Sequence, residues 1–296
     1  MCIRDRNIFD HTQNPAELID FVRGAEISSK DGGLITFDTI ARSSLNNFNY
    51  AFGVQINNET LDIEYNDLAR AEFDSDGKIT KTADLFFLGG GQNVNQSRNK
   101  YGAFFEGEQE LFDSLGLRLA ARYEKVDNFS SLDPKISLSY NPTDQITLRI
   151  SRGTSFTMPS MAQMYSSDIN LGSVRDLEGS IFVRQARIGN PDLKPATSTN
   201  SNFGFIYDSD TSRFSVDYWK IDYRDRIEAE SSQAILDLDP QGPSITRNEN
   251  GELIAVTTTY FNEESTLISG IDLSYEHNFD LNDNGQLELA LKGTSF

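Results

Sequence analysis

Few residues of this 296-residue chain are of types that do chemistry, and their spacing defeats most of it. One cysteine, Cys2, rules out an intrachain disulfide, and two distant histidines, His11 and His277, leave no zinc-ligand spacing. The run Asp280-Leu281-Asn282-Asp283-Asn284-Gly285 matches the opening of a calcium loop, but its required twelfth-position acid would be Leu291. Glu72-Phe73-Asp74-Ser75-Asp76-Gly77 fails the same way at Ala83. Both read as hydrated turns. Gly89-Gly90-Gly91 is followed by no Lys-Ser/Thr, so it is no phosphate cradle and reads as a flexible loop tip. Asp237 and Asp239 sit in an acidic stretch with no neighbouring base or nucleophile. The sequence predicts no catalytic residue, no metal and no cofactor. What remains is a set of hydrogen-bonding and charged side chains between Phe156 and Leu193: Asp168, Asn170, Arg175, Asp176, Glu178, Arg184 and Arg187. They suit capture of a small polar molecule, or solvation of a loop.

The elements that would carry such a loop are strands. Leu115, Leu117, Leu119, Ala121 and Tyr123 alternate with Gly116, Arg118, Ala120, Arg122 and Glu124. That period of two gives a strand with one apolar face. The same alternation recurs over 48–56, 271–279 and 287–292. About ten strands are expected, near 34–40, 47–57, 99–112, 115–126, 132–141, 144–154, 198–208, 211–226, 264–280 and 285–296. Many reach the roughly 9–11 residues that a tilted strand needs to cross a bilayer. Their polar faces carry Arg118, Arg122, Glu124, Lys135, Arg149, Asp217, Asp272, Glu276, Glu288 and Lys292. These would line a wet lumen in a wide barrel, or meet bulk water in a soluble sandwich. Between Tyr218 and Trp219 the alternation changes phase, which predicts a β-bulge or the membrane interface.

Connections separate the two readings. Asp113-Ser114, Asn141 to Asp144, Asp208 to Thr211 and Asp280 to Gly285 are short and rich in turn formers. The intervening connections 58–98, 155–197 and 227–263 are long, with 127–131 a short exception. Short turns on one rim and long loops on the other mark an outer-membrane barrel. Aromatics near strand ends, among them Tyr123, Tyr140, Tyr218, Trp219 and Tyr223, are expected to form interface girdles. The formal charge of −19 argues against a nucleic-acid partner. No apolar run is long enough for a membrane-spanning helix.

Four segments carry a family resemblance. They are Asp133-Pro134-Lys135-Ile136-Ser137-Leu138-Ser139-Tyr140-Asn141-Pro142, then Ser151 to Tyr165 with Phe156 and Pro159, then Gly189-Asn190-Pro191-Asp192-Leu193-Lys194-Pro195, then Asn262 followed by Gly270-Ile271-Asp272. In this order they resemble the TonB-dependent outer-membrane receptors, over about residues 40–296. Phe156, Pro159, Tyr165, Asn190, Pro191, Leu193, Pro195 and Gly270 match the family's motifs. Thr157-Met158 stands where Arg-Ala is usual and Ala196 where Glu is usual, which leaves specific loop contacts open.

The resemblance implies an all-β fold: part of a transmembrane antiparallel barrel in outer-membrane lipid, with short periplasmic turns and long extracellular loops. It implies energy-dependent import of a scarce small molecule, such as a ferric siderophore, cobalamin or an oligosaccharide, and no enzymatic chemistry. Its partners would be TonB and the inner-membrane energising complex, reached through an N-terminal plug. Residues 1–6 read as a non-native leader, and 7–296 as barrel without its plug or C-terminal strands. Phe296 falls on the polar side of its strand, as a residue in mid-barrel would. Competing expectations are a passive porin-type barrel and a soluble glycan-binding β-sandwich. The family's haem receptors carry a histidine between the two loop boxes, and this chain has none between Phe156 and Leu193, so the expected ligand is not haem.

Overall fold

The computed structural model describes residues 15–17, 19, 23–75, 77–84, 89–177, 179–282 and 285–296. The proposed leader, Cys2, His11 and Glu178 therefore lie outside the described residues. All ten expected strands form. Their order in the chain is β1 (Ser28–Leu45), β2 (Phe48–Tyr65), the small hairpin β3 (Glu72–Phe73) and β4 (Ile79–Lys81), β5 (Val94–Phe112), β6 (Leu115–Val126), β7 (Phe129–Thr143) and β8 (Ile146–Thr157). Then follow β9 (Asp168–Asp176), β10 (Gly179–Ile188), β11 (Ala196–Asp208), β12 (Ser212–Ala229), β13 (Ile245–Arg247), β14 (Leu253–Asp280) and β15 (Gln286–Ser295). The ten long strands pair antiparallel in sequence order, from β1 at one edge to β15 at the other. The sheet is open.

Turn chemistry fixes one rim. Asn46 and Asn47 take φ of 48° and 65°, the left-handed pair that a two-residue hairpin loop demands and that Asn tolerates. Asp113-Ser114, Asp144-Gln145 and Ser209 to Thr211 lie on that rim, as does the hydrogen bond from Leu281 N to Gly285 O at 2.9 Å. Every long excursion leaves from the other.

Strand pairing carries each apolar side chain into register with the next. Phe52 pairs with Phe105, Phe105 with Ala121, Leu119 with Ile136, Leu138 with Ile150, Ile150 with Phe203, Phe203 with Tyr218 and Tyr218 with Ile271. The result is a continuous apolar band across the sheet, with nothing packed on it among the described residues. Phe203 is 51% exposed and Ile150 53%. A sandwich would cover this face with a second sheet, so the sandwich expectation fails.

The bulge expected between Tyr218 and Trp219 does not form. Pairing of β12 with β14 runs without a bulge through Tyr218↔Ile271 and Trp219↔Gly270. The pattern changes because Trp219, Ile221 and Tyr223 are large side chains on the polar face, opposite Tyr218. They therefore belong to no outward girdle. The three long connections are present and carry elements of their own. They hold β3–β4, β9–β10, β13 and the short helices Met161–Tyr165 and Ser232–Leu238, while β14 begins at Leu253. Together they build a cap with its own apolar cores. Val174, Val183, Leu236, Leu253 and Val256 form one. Ile63, Tyr65, Ala69 and Val94 form a second, and Ala71, Ile169 and Ala186 a third.

Candidate functional site

The motif segments meet where cap joins wall. Ser160 caps the helix Met161–Tyr165 reciprocally: its Oγ accepts from Gln163 N at 3.1 Å, and its own N donates to Gln163 Oε1 at 2.8 Å. Pro159 is fully buried, and its carbonyl accepts from Arg98 Nη1 at 2.7 Å. Arg98 is itself buried and also donates to Glu59 Oε2 at 2.7 Å, and Lys100 joins the same carboxylate. Tyr165 packs on the Ile63, Tyr65, Ala69 and Val94 core. Asn190 donates from its backbone to Gln163 O at 2.9 Å and from Nδ2 to Tyr260 O at 2.8 Å. Its Oδ1 accepts from Asp192 N at 2.9 Å. Leu193 is fully buried, whereas Pro191 is exposed. Lys194 exchanges two backbone-to-amide hydrogen bonds with Asn262, each 2.9 Å, and Asn262 Nδ2 also reaches Asp225 O at 2.8 Å. Phe156 and Pro195 are half-buried beside this junction. Gly270 lies lower in the wall, where a Cβ would sit 2.6 Å from Ser295 O and 2.7 Å from Trp219 Cζ2. These residues form a latch: they hold the chain's path from wall into cap and back.

The glycine run is part of the same junction and is no loop tip. Gly89, Gly90 and Gly91 are buried. Gly91 bonds Ala69 and Ala71, Gly90 O accepts from Ile169 N at 2.8 Å, and Gln92 N donates to Ser167 O at 3.0 Å. Gly90 has φ of 103°, and a Cβ on Gly91 would lie 2.6 Å from the Tyr65 ring. Two excursions approach so closely here that only glycine fits.

The candidate ligand residues sit on the β9–β10 hairpin but do not converge. Asp168 and Arg187 are cross-strand partners, with Asn170 on the same face. Arg175 and Arg184 are on the opposite face. The Arg187 guanidinium lies 5.8 Å from the centre of the Tyr260 ring. At the hairpin's tip Asp176 forms a two-point ion pair with Arg247 at 2.7 and 3.0 Å. Gln233 binds the Arg175 backbone at both ends, accepting from N at 2.7 Å and donating to O at 3.0 Å. The Asp176 carboxyl is held below its ordinary range chiefly by the Arg247 hydrogen bond, and burial opposes this. Arg98, Gln233 and Arg247 escaped the sequence reading, because their partners are 61, 58 and 71 residues away.

The polar face of the wall is the third component. Arg149 binds Asp217 at 2.7 Å, Arg118 binds Glu108 at 3.0 Å and Arg122 binds Glu124 at 2.7 Å. Between and above them open grooves run over Ser137, Ser151, Ser155, Asn200, Asn202 and Trp219.

Residues 4–295 match the family described as TonB dependent receptor-like, beta-barrel. The chain belongs to this family. A 128-residue stretch is 26% identical to the probable TonB-dependent siderophore receptor PirA of Acinetobacter baumannii, covering 43% of this chain and 17% of that protein. The fold is similar to the ferric enterobactin receptor PfeA of Pseudomonas aeruginosa, at a TM-score of 0.65 and 18% identity, over 91% of this chain and 36% of that one. It is also similar to the siderophore receptor PirA of Pseudomonas aeruginosa, at a TM-score of 0.61 and 14% identity, over 90% and 43%. The chain thus spans less than half the length of each of these relatives.

As a section of a TonB-dependent receptor barrel, the sheet acquires an inside and an outside. The polar face is the lumenal one and the apolar band the outer one. The wall therefore has one polar and one apolar side, and the cap is built from the long connections at one of its rims.

Proposed function

We propose that the chain is part of an outer-membrane receptor of a Gram-negative bacterium that imports a ferric siderophore with energy delivered through TonB. The apolar band carries the reading. Its side chains are uncovered from β2 to β15, and only a lipid environment makes such a face stable. The PirA and PfeA relatives named above are siderophore or ferric enterobactin receptors by name, which favours that class over cobalamin or an oligosaccharide. The cap takes part in capture from outside the cell, and the ligand is not haem.

The test is growth of an iron-starved strain whose only receptor is the complete gene product. Ferric enterobactin or another ferric siderophore should restore growth when TonB is present and fail when it is absent. Rescue by haem alone would refute the ligand class. Equal rescue without TonB would refute the coupling and leave a passive pore.

A further inference from the structure

Register fixes which side chains share the outer face with the apolar band. Ile150, Phe203, Tyr218 and Ile271 form one row of that band on β8, β11, β12 and β14. Two residues nearer the cap on each strand, the next outward row is Arg152, Ser201, Lys220 and Ser269. Between this row and the short-turn rim, these four strands turn no Asp, Glu, Lys or Arg outward. Further toward the cap on β12, Asp222 and Arg224 face the same way.

The first charges above the band on this flank are therefore mostly positive. Arg152, Lys220 and Arg224 are exposed, and among the described residues none of them forms an ion pair. Asp222, half-buried between Lys220 and Arg224, is the carboxylate within the patch and leaves it net positive. Arg226, the next outward cation on β12, is already paired with Glu228 and Glu263. Lys125 is also outward, but it stands apart on β6 between Tyr101 and Ser130. The other flank of the same rim has the opposite sign: β1 and β2 turn Asp31, Asp62 and Glu64 outward.

We propose that Arg152, Lys220 and Arg224 form a site for the phosphate head of an outer-leaflet lipid whose acyl chains lie along Ile150, Phe203 and Tyr218. The inference rests on the importer reading above, which turns the band toward lipid and the cap rim toward the outside. A cation facing hydrocarbon is costly, so long stems lift these charged ends to headgroup level. Neighbouring strands lie about 4.8 Å apart, which puts Arg152 and Lys220, two strands apart, roughly 10 Å from each other at Cα. A head carrying more than one phosphate spans that gap, and guanidinium binds phosphate through two parallel bonds. Ser201 and Ser269 add hydroxyl donors in the same row. A chain of net charge −19 attracts no anion in general, so the attraction has to be local to this patch. Because head and tail sites face the same way and are continuous, the ligand is an anionic amphiphile rather than a free anion.

Native mass spectrometry of the complete receptor in detergent tests it. The probes are lipid A, a bisphosphorylated acyl lipid, the same lipid stripped of phosphate by phosphatase, and inorganic phosphate. The parent should retain lipid A about tenfold more strongly than the triple variant Arg152→Gln, Lys220→Gln, Arg224→Gln. Lys125→Gln should bind as the parent does. The stripped lipid should bind parent and triple variant alike, and excess inorganic phosphate should leave lipid A in place. Equal retention of lipid A by parent and triple variant would overturn the site, as would an equal loss of the stripped lipid in the variant. Displacement by inorganic phosphate would make this a free-anion site and overturn the lipid. Arg152→Gln and Lys220→Gln singly, each expected to lose about threefold, carry the test should the triple variant fail to assemble. TonB-dependent siderophore uptake by the parent tests the importer reading separately. A parent that stays monodisperse without detergent and binds no acyl lipid would instead remove the lipid-facing band, and the importer reading with it.

Discussion

Wall and cap place their apolar side chains in opposite ways. In the wall, Ile150 and Phe203 stand more than half exposed, while Arg149 and Asp217 pair on the inner face. In the cap, Val256 and Leu193 are 0% exposed. β14 belongs to both. Its 28 residues extend roughly 90 Å at about 3.3 Å each, far more than the roughly 30 Å of a bilayer core. Along one strand the rule for placing apolar residues thus reverses. Near Ile271 and Leu273 they point outward, and near Leu253 and Val256 they are enclosed. The environment outside the backbone decides which arrangement is stable, and it changes from lipid to water along the strand.

The largest effect should come from putting a charge where the cap is driest. Val256→Asp buries a carboxylate among Val174, Val183, Leu236 and Leu253. The cost should exceed about 4 kcal/mol. On whole cells, protease should then cut within 230–252, while the wall still assembles and keeps its heat-resistant electrophoretic band. Loss of both together would mean that cap and wall are one cooperative unit, and would end the distinction.

Leu119→Arg should cost roughly 2–4 kcal/mol of barrel stability if Leu119 lies near the membrane midplane. Denaturant titration in lipid vesicles reads this directly. A neutral result here and at Leu117 would remove the lipid from the account.

The ion pair at the hairpin tip should matter less and only to the cap. The side chains of Asp176 and Arg247 are 15% and 10% exposed, and two charge-assisted bonds join them. Asp176→Asn should loosen the cap by roughly 1–3 kcal/mol. The sign of its pH dependence follows from the depressed carboxyl. Its contribution is complete above the ordinary carboxyl value of about 3.9 and is lost as pH falls through the lower folded value. Hydrogen exchange of the β9–β10 amides should therefore accelerate below about pH 4 in the parent and show no such step in Asp176→Asn. A step of equal size in both proteins would assign the acid sensitivity elsewhere.

The same contrast explains what could be read in the sequence. Wall strands have one wet and one greasy face, so Leu115 to Glu124 declare their period at once. Cap strands do not. The hairpin β9–β10 buries Ile169 and Ala186 on one face and Val174 and Val183 on the other, so no period of two survives. Its neighbours come from 66–91 and 230–256, far off in sequence. Trp219 misled for a related reason: a large aromatic on the lumenal side looks like a phase shift although the register never breaks. Of the site, the motif segments were visible and Arg98, their buried anchor, was not.

The smallest predicted effect is also the sharpest comparison. Leu119 in the wall and Leu171 on the cap hairpin are exposed almost equally, 40% and 43%. By accessible area alone the two are interchangeable, and arginine should be tolerated at both. The proposed environments say otherwise. Leu171 projects from β9 on the face that carries Arg175 and Arg184, where its exposed part meets water. An arginine there keeps its charged end hydrated and lays its stem along the strand. Leu171→Arg should shift stability by no more than about 0.5 kcal/mol, the usual range for a surface position. Leu119→Arg should cost several times as much, because its outer side meets hydrocarbon. Measuring both in the same vesicles, with the same denaturant, cancels errors in the reference state. A penalty at Leu171 matching that at Leu119 would place the hairpin against lipid or another dry surface. The cap would then no longer stand clear of the membrane, and its part in capture from outside would fall with it.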